Sequence, residues 1–255
     1  MRPVEICAIP GLPDIAPGDD LAAIIGDALD RFGGLENGDV LGIAHKAVSK
    51  AEGCVISLSD VRPSARATQL GAELNKDPRK VEVVLSQSQR VVRAFKRPAQ
   101  KEGTLICEHR LGFISANAAV DESNSESGTV ITLPENPDAS AAGLGAALEA
   151  RFGCGLGVVI TDTFGRPWRL GQVNVAIGLY RVRAKTSEVG KLDAWGRPLA
   201  VTEPALCDEI AAASGLVVRK AAKTPLVRVR GLAWTPDPAS SARHILRPIE
   251  EDMFR

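Results

Sequence analysis

The apolar run Val158, Val159 and Ile160 leads without a break into TDTFGRPWRLGQ, residues 161–172, and no other junction limits the chain so tightly. Such a run reads as a buried strand, and α/β proteins gather ligands at the carboxyl ends of such strands. Asp162 and Thr163 are therefore expected where the strand ends. An acid, two hydroxyls and the cations Arg166 and Arg169 then fall in one turn shaped by Gly165 and Pro167. Carboxylate and hydroxyl oxygens suit a hard divalent cation, and Arg forks match phosphate or carboxylate. The segment reads as an anion site beside a metal site. Its plainer alternative is a surface turn carrying an Asp–Arg pair.

Composition removes several function classes. With 255 residues, 45% hydrophobic and 24% charged, the chain can bury a large core. Lys plus Arg equal Asp plus Glu at 31 each, so nothing steers it to nucleic acid or an acidic membrane, and local clusters must carry any phosphate binding. The cysteines Cys7, Cys54, Cys107, Cys154 and Cys207 show no CxxC or Cys–His spacing and read as free thiols in a reducing compartment. No signal peptide is visible and no apolar run has the length of a membrane span. A cytoplasmic protein is expected. Nothing marks a linker, so a single domain over 1–255 is expected, any subdivision being discontinuous, roughly 1–80 with 175–255, and 81–174.

Periodicity and capping residues predict the elements. A strand over 4–9 runs into Pro10, Gly11, Leu12 and Pro13, a stiff turn whose backbone can approach a ligand. Asp19 or Asp20 caps a helix over 21–32, and a strand follows over 40–44. Helices are expected over 64–74, over 79–88, over 139–152 with Asp138 as cap, and over 204–213. Two strands flank Arg110, Leu111 and Gly112, and further strands are expected over 173–179, 216–218 and 225–229. The tail from Pro236 is expected to dock loosely or fray.

Charge then singles out two more segments. His45, Lys46, Ser49 and Lys50 directly follow a strand, where two ammonium groups and an imidazole could neutralise nucleotide phosphates; a solvated loop is the alternative. HKAVSKAEG lacks the glycines of a P-loop. Asp121, with Asn124 three residues on, brings a second carboxylate to a strand end and would complete a two-carboxylate cradle with Asp162. His109 reads as structural.

These segments, GLPDIAPGDDL, GDVLGIAHKAVSKAEG, KDPRKVEVVL, ANAAVDESN, LPENPDAS, TDTFGRPWRLGQVNVAIG and RPIEEDMFR, together resemble the coenzyme F420 gamma-glutamyl ligase family over nearly the whole chain. The resemblance implies an α+β fold of mixed sheets with flanking helices in two intertwined subdomains, and an intertwined homodimer. It implies a GTP-dependent ligase that adds L-glutamate to the carboxylate of a deazaflavin precursor through an acyl phosphate, with Mg2+ or Mn2+ and a monovalent cation. By position, Pro10, Gly11, Leu12, Pro13, His45, Lys46, Lys50, Asn124, Val218, Arg219, Lys220 and Ala221 would meet the nucleotide. Asp121, Asp162 and Thr163 would hold metal, and Lys46, Lys50, Arg166 and Arg169 would act on the transferring group. Val218 and Arg219 replace a common Met-Gly pair, Ala119 stands where the family usually has Gly, and LYRVRAKTSEVGK keeps little of the usual pattern. Two alternatives therefore stand beside this reading: the same ligase chemistry on another carboxylate acceptor, and a nucleotide-binding protein without catalysis.

Overall fold

The computed structural model describes residues 3–218 and 223–253. Its centre is a five-stranded sheet in the order β1 (Glu5–Ala8), β10 (Leu226–Arg230), β2 (Val40–Ala44), β8 (Gly157–Arg166), β9 (Arg169–Tyr180). The pair β2 and β8 is parallel, and the other neighbours are antiparallel. Val40, Leu41, Ile43, Val158, Val159 and Ile160 are all buried, which is why these two strands read as unbroken apolar runs rather than alternating ones.

Three helices close over this sheet. In α1 (Leu21–Arg31) the Asp20 carboxylate accepts from the Ala23 N–H at 3.0 Å, and Leu21, Ile25, Ala28 and Leu29 form the buried face. In α5 (Pro137–Phe152) small residues permit close approach: a methyl at Gly145 would lie 2.1 Å from the Tyr180 ring. The third, α6 (Leu206–Ser214), packs across all five strands. The expected cap of α5 needs correction. Asn136, not Asp138, accepts from the Ala139 N–H. Asp138 instead takes the N–H groups of Leu179 and Ala242 and the Ser241 hydroxyl, at 2.8, 3.0 and 2.6 Å. That docks the first part of the tail expected to dock loosely or fray: the Asp237 N–H donates to the Arg181 carbonyl at 2.7 Å and Ala242 is buried, whereas Ile249 and Met253 are exposed.

A second antiparallel sheet, β4 (Ser88–Phe95), β5 (Thr104–His109), β6 (Ile114–Ala116), packs with α3 (Ala65–Leu74) and α4 (Pro78–Ser86) around Leu74, Val81, Val84, Leu105 and Cys107. The helix expected to reach Ser88 stops at Ser86, and the chain turns through Gln87 into β4. A two-stranded sheet of β3 (Val55–Ser57) and β7 (Thr129–Ile131) was not foreseen. No strand forms over 216–218, where the chain turns after α6. Mixed sheets with flanking helices make the fold α+β. The five cysteines are unpaired thiols, and among the described residues no helix is long and apolar enough to cross a membrane.

Candidate active site

The parallel register of β2 and β8 builds the centre of the site. Ala44 is paired with Thr161, so the next residues, His45 and Asp162, meet: His45 Nε2 lies 3.2 Å from Asp162 Oδ1. The contact has ion-pair distance without the angle of a hydrogen bond. The helix α2 (His45–Ala51) begins at this point with no side-chain cap. Its turn of 3.6 residues sorts the candidates into two stripes. His45 and Ser49 share the buried stripe, Nδ1 to Oγ at 3.2 Å. Lys46 and Lys50 share the half-buried rim.

Lys46, the next residue on α2, holds the second carboxylate. Its ammonium contacts Asp121 Oδ2 at 2.5 Å, the Ser123 carbonyl at 3.1 Å and the Ser123 hydroxyl. Asp121 also accepts the Ser123 N–H at 2.8 Å and the Ser123 O–H at 2.9 Å. Burial opposes ionisation of Asp121, but Lys46 and Ser123 outweigh it and hold the carboxyl down at about 2. Burial likewise opposes ionisation of Asp162; the nearby His45, the Thr163 N–H and Lys46 outweigh it and lower its pKa. Both carboxylates are thus charged at neutral pH, with one ammonium acting on both.

A turn expected at the strand end is instead an extended arm. β8 continues through Asp162 and Thr163 to Arg166 and returns as β9 through the two-residue connection Pro167–Trp168, where Trp168 takes φ +62°. At about 3.3 Å per residue, Arg166 lies about 13 Å along the strand from Asp162. Arg166 donates to the Leu170 carbonyl at 2.7 Å and Arg169 is exposed, so within one chain neither shares the Asp162 cluster. Alternation also separates Asp162 from Thr163. Asp162 faces His45 on α2, whereas Thr163 Oγ1 donates to Asn174 Oδ1 at 2.9 Å beside the end of α6.

The remaining candidates form a rim. Pro10, Gly11 and Pro13 are exposed and Leu12 packs on the core. This loop is tied to the end of α2 by the Gly18 N–H to Ala51 carbonyl bond. Lys223 pairs with Asp14 at 2.8 Å, and that contact, with a smaller contribution from Lys50, lowers the Asp14 pKa. Asn124 is exposed at φ +62°. Val218 packs partly into the core. Arg219, Lys220 and Ala221 lie outside the described residues. Sequence reasoning missed Asn174, because its pairing with Thr163 follows only from a hairpin register that a turn at 161–172 would not allow.

The donor set fits a hard cation. Asp121 and Ser123 already surround an ammonium with oxygens, and Asp162, half-buried, offers a second carboxylate next to His45. Among the described residues no three His, Cys, Asp or Glu side chains converge into a ready cage. Mg2+ is typically held by one or two carboxylates plus substrate phosphates, which matches such an incomplete site.

A family model described as F420-0:Gamma-glutamyl ligase matches residues 11–231. The chain is 44% identical over 245 residues to the coenzyme F420:L-glutamate ligase of Methanopyrus kandleri, covering 94% of this chain and 93% of that protein. It is 38% identical over 255 residues to the enzyme of that name from Methanothermobacter thermautotrophicus, covering 99% of each. The corresponding protein of Methanosarcina mazei is 37% identical over 252 residues, covering 98% of this chain and 95% of that protein.

Proposed function

The chain belongs to the F420-0:Gamma-glutamyl ligase family, and from that premise we propose that it joins L-glutamate to the carboxylate of a deazaflavin coenzyme F420 precursor, using GTP and passing through an acyl phosphate. The carrying observation is a pair of ionised carboxylates: Asp162, just past the end of the parallel β2–β8 pair and facing His45, and Asp121, held by Lys46 from the neighbouring position on α2. A carboxylate and an amine do not condense unaided in water. A carboxylate oxygen of the acceptor attacks the γ-phosphorus of GTP, the bond to the β-phosphate oxygen breaks, and GDP leaves. The glutamate amine then attacks the acyl carbon, phosphate departs, and the amine proton is lost to base.

The named residues suit these steps. Mg2+ or Mn2+ held at Asp121 and Asp162, with Thr163 presenting oxygen on the other face, would offset charge as phosphate approaches another anion. Lys50 on the rim would neutralise the nucleotide phosphates beside Pro10, Gly11, Leu12 and Pro13, while Lys46 would keep Asp121 ionised and lie close to the transferring group. His45 orients Asp162. A homodimer gives the exposed arm tip, including Leu170 at 96% exposure, a surface to cover, and offers Arg166 and Arg169 a phosphoryl group that their own chain does not bring near. The divergent loop LYRVRAKTSEVGK favours one second reading, the same chemistry on another anionic acceptor. Labelled glutamate offered with GTP and a panel of carboxylates, followed by mass spectrometry, tests both: product only with the deazaflavin precursor supports the first reading, product only with another acceptor the second, and no amide with any acceptor refutes ligation.

A further inference from the structure

Asn174 has no role in the reading above, yet its contacts are specific. It stands directly across the β8–β9 ladder from Thr163, and its Oδ1 accepts the Thr163 hydroxyl at 2.9 Å. A hydroxyl has one proton and two acceptor lone pairs. Once the proton is committed to Asn174, Thr163 Oγ1 can act only as an acceptor, which is the form a hard cation requires. The amide is itself confined from behind. A methyl on Gly215, just past α6, would lie 3.3 Å from Asn174 Nδ2, 3.4 Å from its Cγ and 3.1 Å from the Ala212 carbonyl oxygen. At these distances even a methyl group would make the amide or the Ala212 carbonyl give way by a few tenths of an ångström.

We propose that Asn174 is a positioning residue, which sets the Thr163 hydroxyl as an acceptor-only ligand for a divalent cation on the α6 side of the sheet, with Gly215 left bare to admit the amide. This rests on the metal-dependent reading above. It assigns to Thr163 a cation face distinct from that of Asp162, since the two side chains leave the strand in opposite directions. Partners of this kind, which orient a metal ligand without touching the metal, typically change affinity by about 10–100-fold when removed.

The test is Mn2+ binding in the presence of GDP, followed by electron paramagnetic resonance and calorimetry, with thermal melts to confirm folding. Asn174→Leu should weaken Mn2+ about 10–100-fold, and Asn174→Asp, which keeps the acceptor oxygen, should restore it. Thr163→Val should weaken Mn2+ at least as much as Asn174→Leu, and Asn174→Leu should add little in the Thr163→Val background. Gly215→Ala should weaken Mn2+ several-fold and lose that effect once Asn174 is Leu. Wild-type affinity in Asn174→Leu while Thr163→Val loses Mn2+ would overturn the role of Asn174 and leave the metal reading standing. Unchanged Mn2+ binding in both Thr163→Val and Asp162→Asn would overturn the metal reading, and this role with it. Should Asn174→Leu fail to fold, Asn174→Asp and Gly215→Ala carry the test: lost Mn2+ affinity in the former, or wild-type affinity in the latter, refutes the proposal.

Discussion

Replacing His109 by Asn should flatten the acid limb of the stability profile. His109 is fully buried on β5. Its Nδ1 accepts the Leu111 N–H at 3.0 Å, which places the proton of the neutral ring on Nε2, buried without a partner among the described residues. Burial, and then the charge of Arg110, push its pKa down from 6.5 to about 4, against a weaker opposing pull from Asp162. The folded state therefore prefers neutral His109, whereas the unfolded chain takes a proton below about pH 6.5. Stability from this group is complete above that pH and is lost as pH falls toward about 4. At 1.36 kcal/mol per pH unit the full loss is about 3 kcal/mol, of which about 2 kcal/mol accrues between pH 7 and pH 4.5. In the variant the Asn Oδ1 can replace Nδ1 as acceptor, and the smaller side chain should cost about 1 kcal/mol at neutral pH. Urea denaturation at the two pH values measures the difference. The wild type should lose about 2 kcal/mol more than the variant on acidification, since all other groups titrate in both. Equal losses would show that His109 is not held neutral by the fold.

Three other perturbations follow from the same contacts. Asn117, Ala118 and Ala119 take φ values of 51°, 47° and 56° in succession; Ala119→Gly should relieve one of these left-handed residues, stabilise by about 0.5–1 kcal/mol and raise Tm by about 1–3 °C, so an unchanged or lower melting temperature would count against strain there. Lys46→Met should raise the Asp121 pKa by about 1–2 pH units from its value of about 2; carboxyl carbon NMR across a pH titration reads this directly, and a static value would mean that Ser123 alone holds the charge. Lys50→Met should weaken GTP at least 10-fold in calorimetry while leaving glutamate KM nearly unchanged, and wild-type GTP affinity would reduce this lysine to a solvated rim charge.

Much of the fold is legible residue by residue. Asp20 reads as a cap of α1, and its carboxylate accepts the Ala23 N–H as expected; Ser64 and Asp77 cap α3 and α4 in the same way, though neither is assigned as a cap from the sequence. Where the local signal competed with tertiary context, reading failed. Asp138 resembles a cap but is taken by three donors from β9 and the tail. α2 has seven residues and no cap, so nothing local announces it; its start is set by the end of β2. The turn assigned to 161–172 is an arm because β9 pairs with β8 as far as Arg166, information that resides in the partner strand. For the site, residue types pointed to carboxylate and ammonium chemistry at Asp121, Asp162 and Lys46. That His45 meets Asp162, and that Asp162 and Thr163 face opposite sides, depends on β2–β8 register and strand alternation, which no motif displays.

Oxygen tracing on the acceptor tests the central claim most directly. The deazaflavin precursor, labelled with 18O in its free carboxylate, is incubated with the protein, GTP, Mg2+ or Mn2+ and L-glutamate, and the released phosphate is analysed by mass spectrometry. An acyl phosphate requires that one carboxylate oxygen leave with phosphorus, so the account predicts one 18O per phosphate, in step with amide formed, and neither product from Asp162→Asn. Amide formed with unlabelled phosphate, or undiminished labelled phosphate from the Asp162→Asn protein, would contradict it.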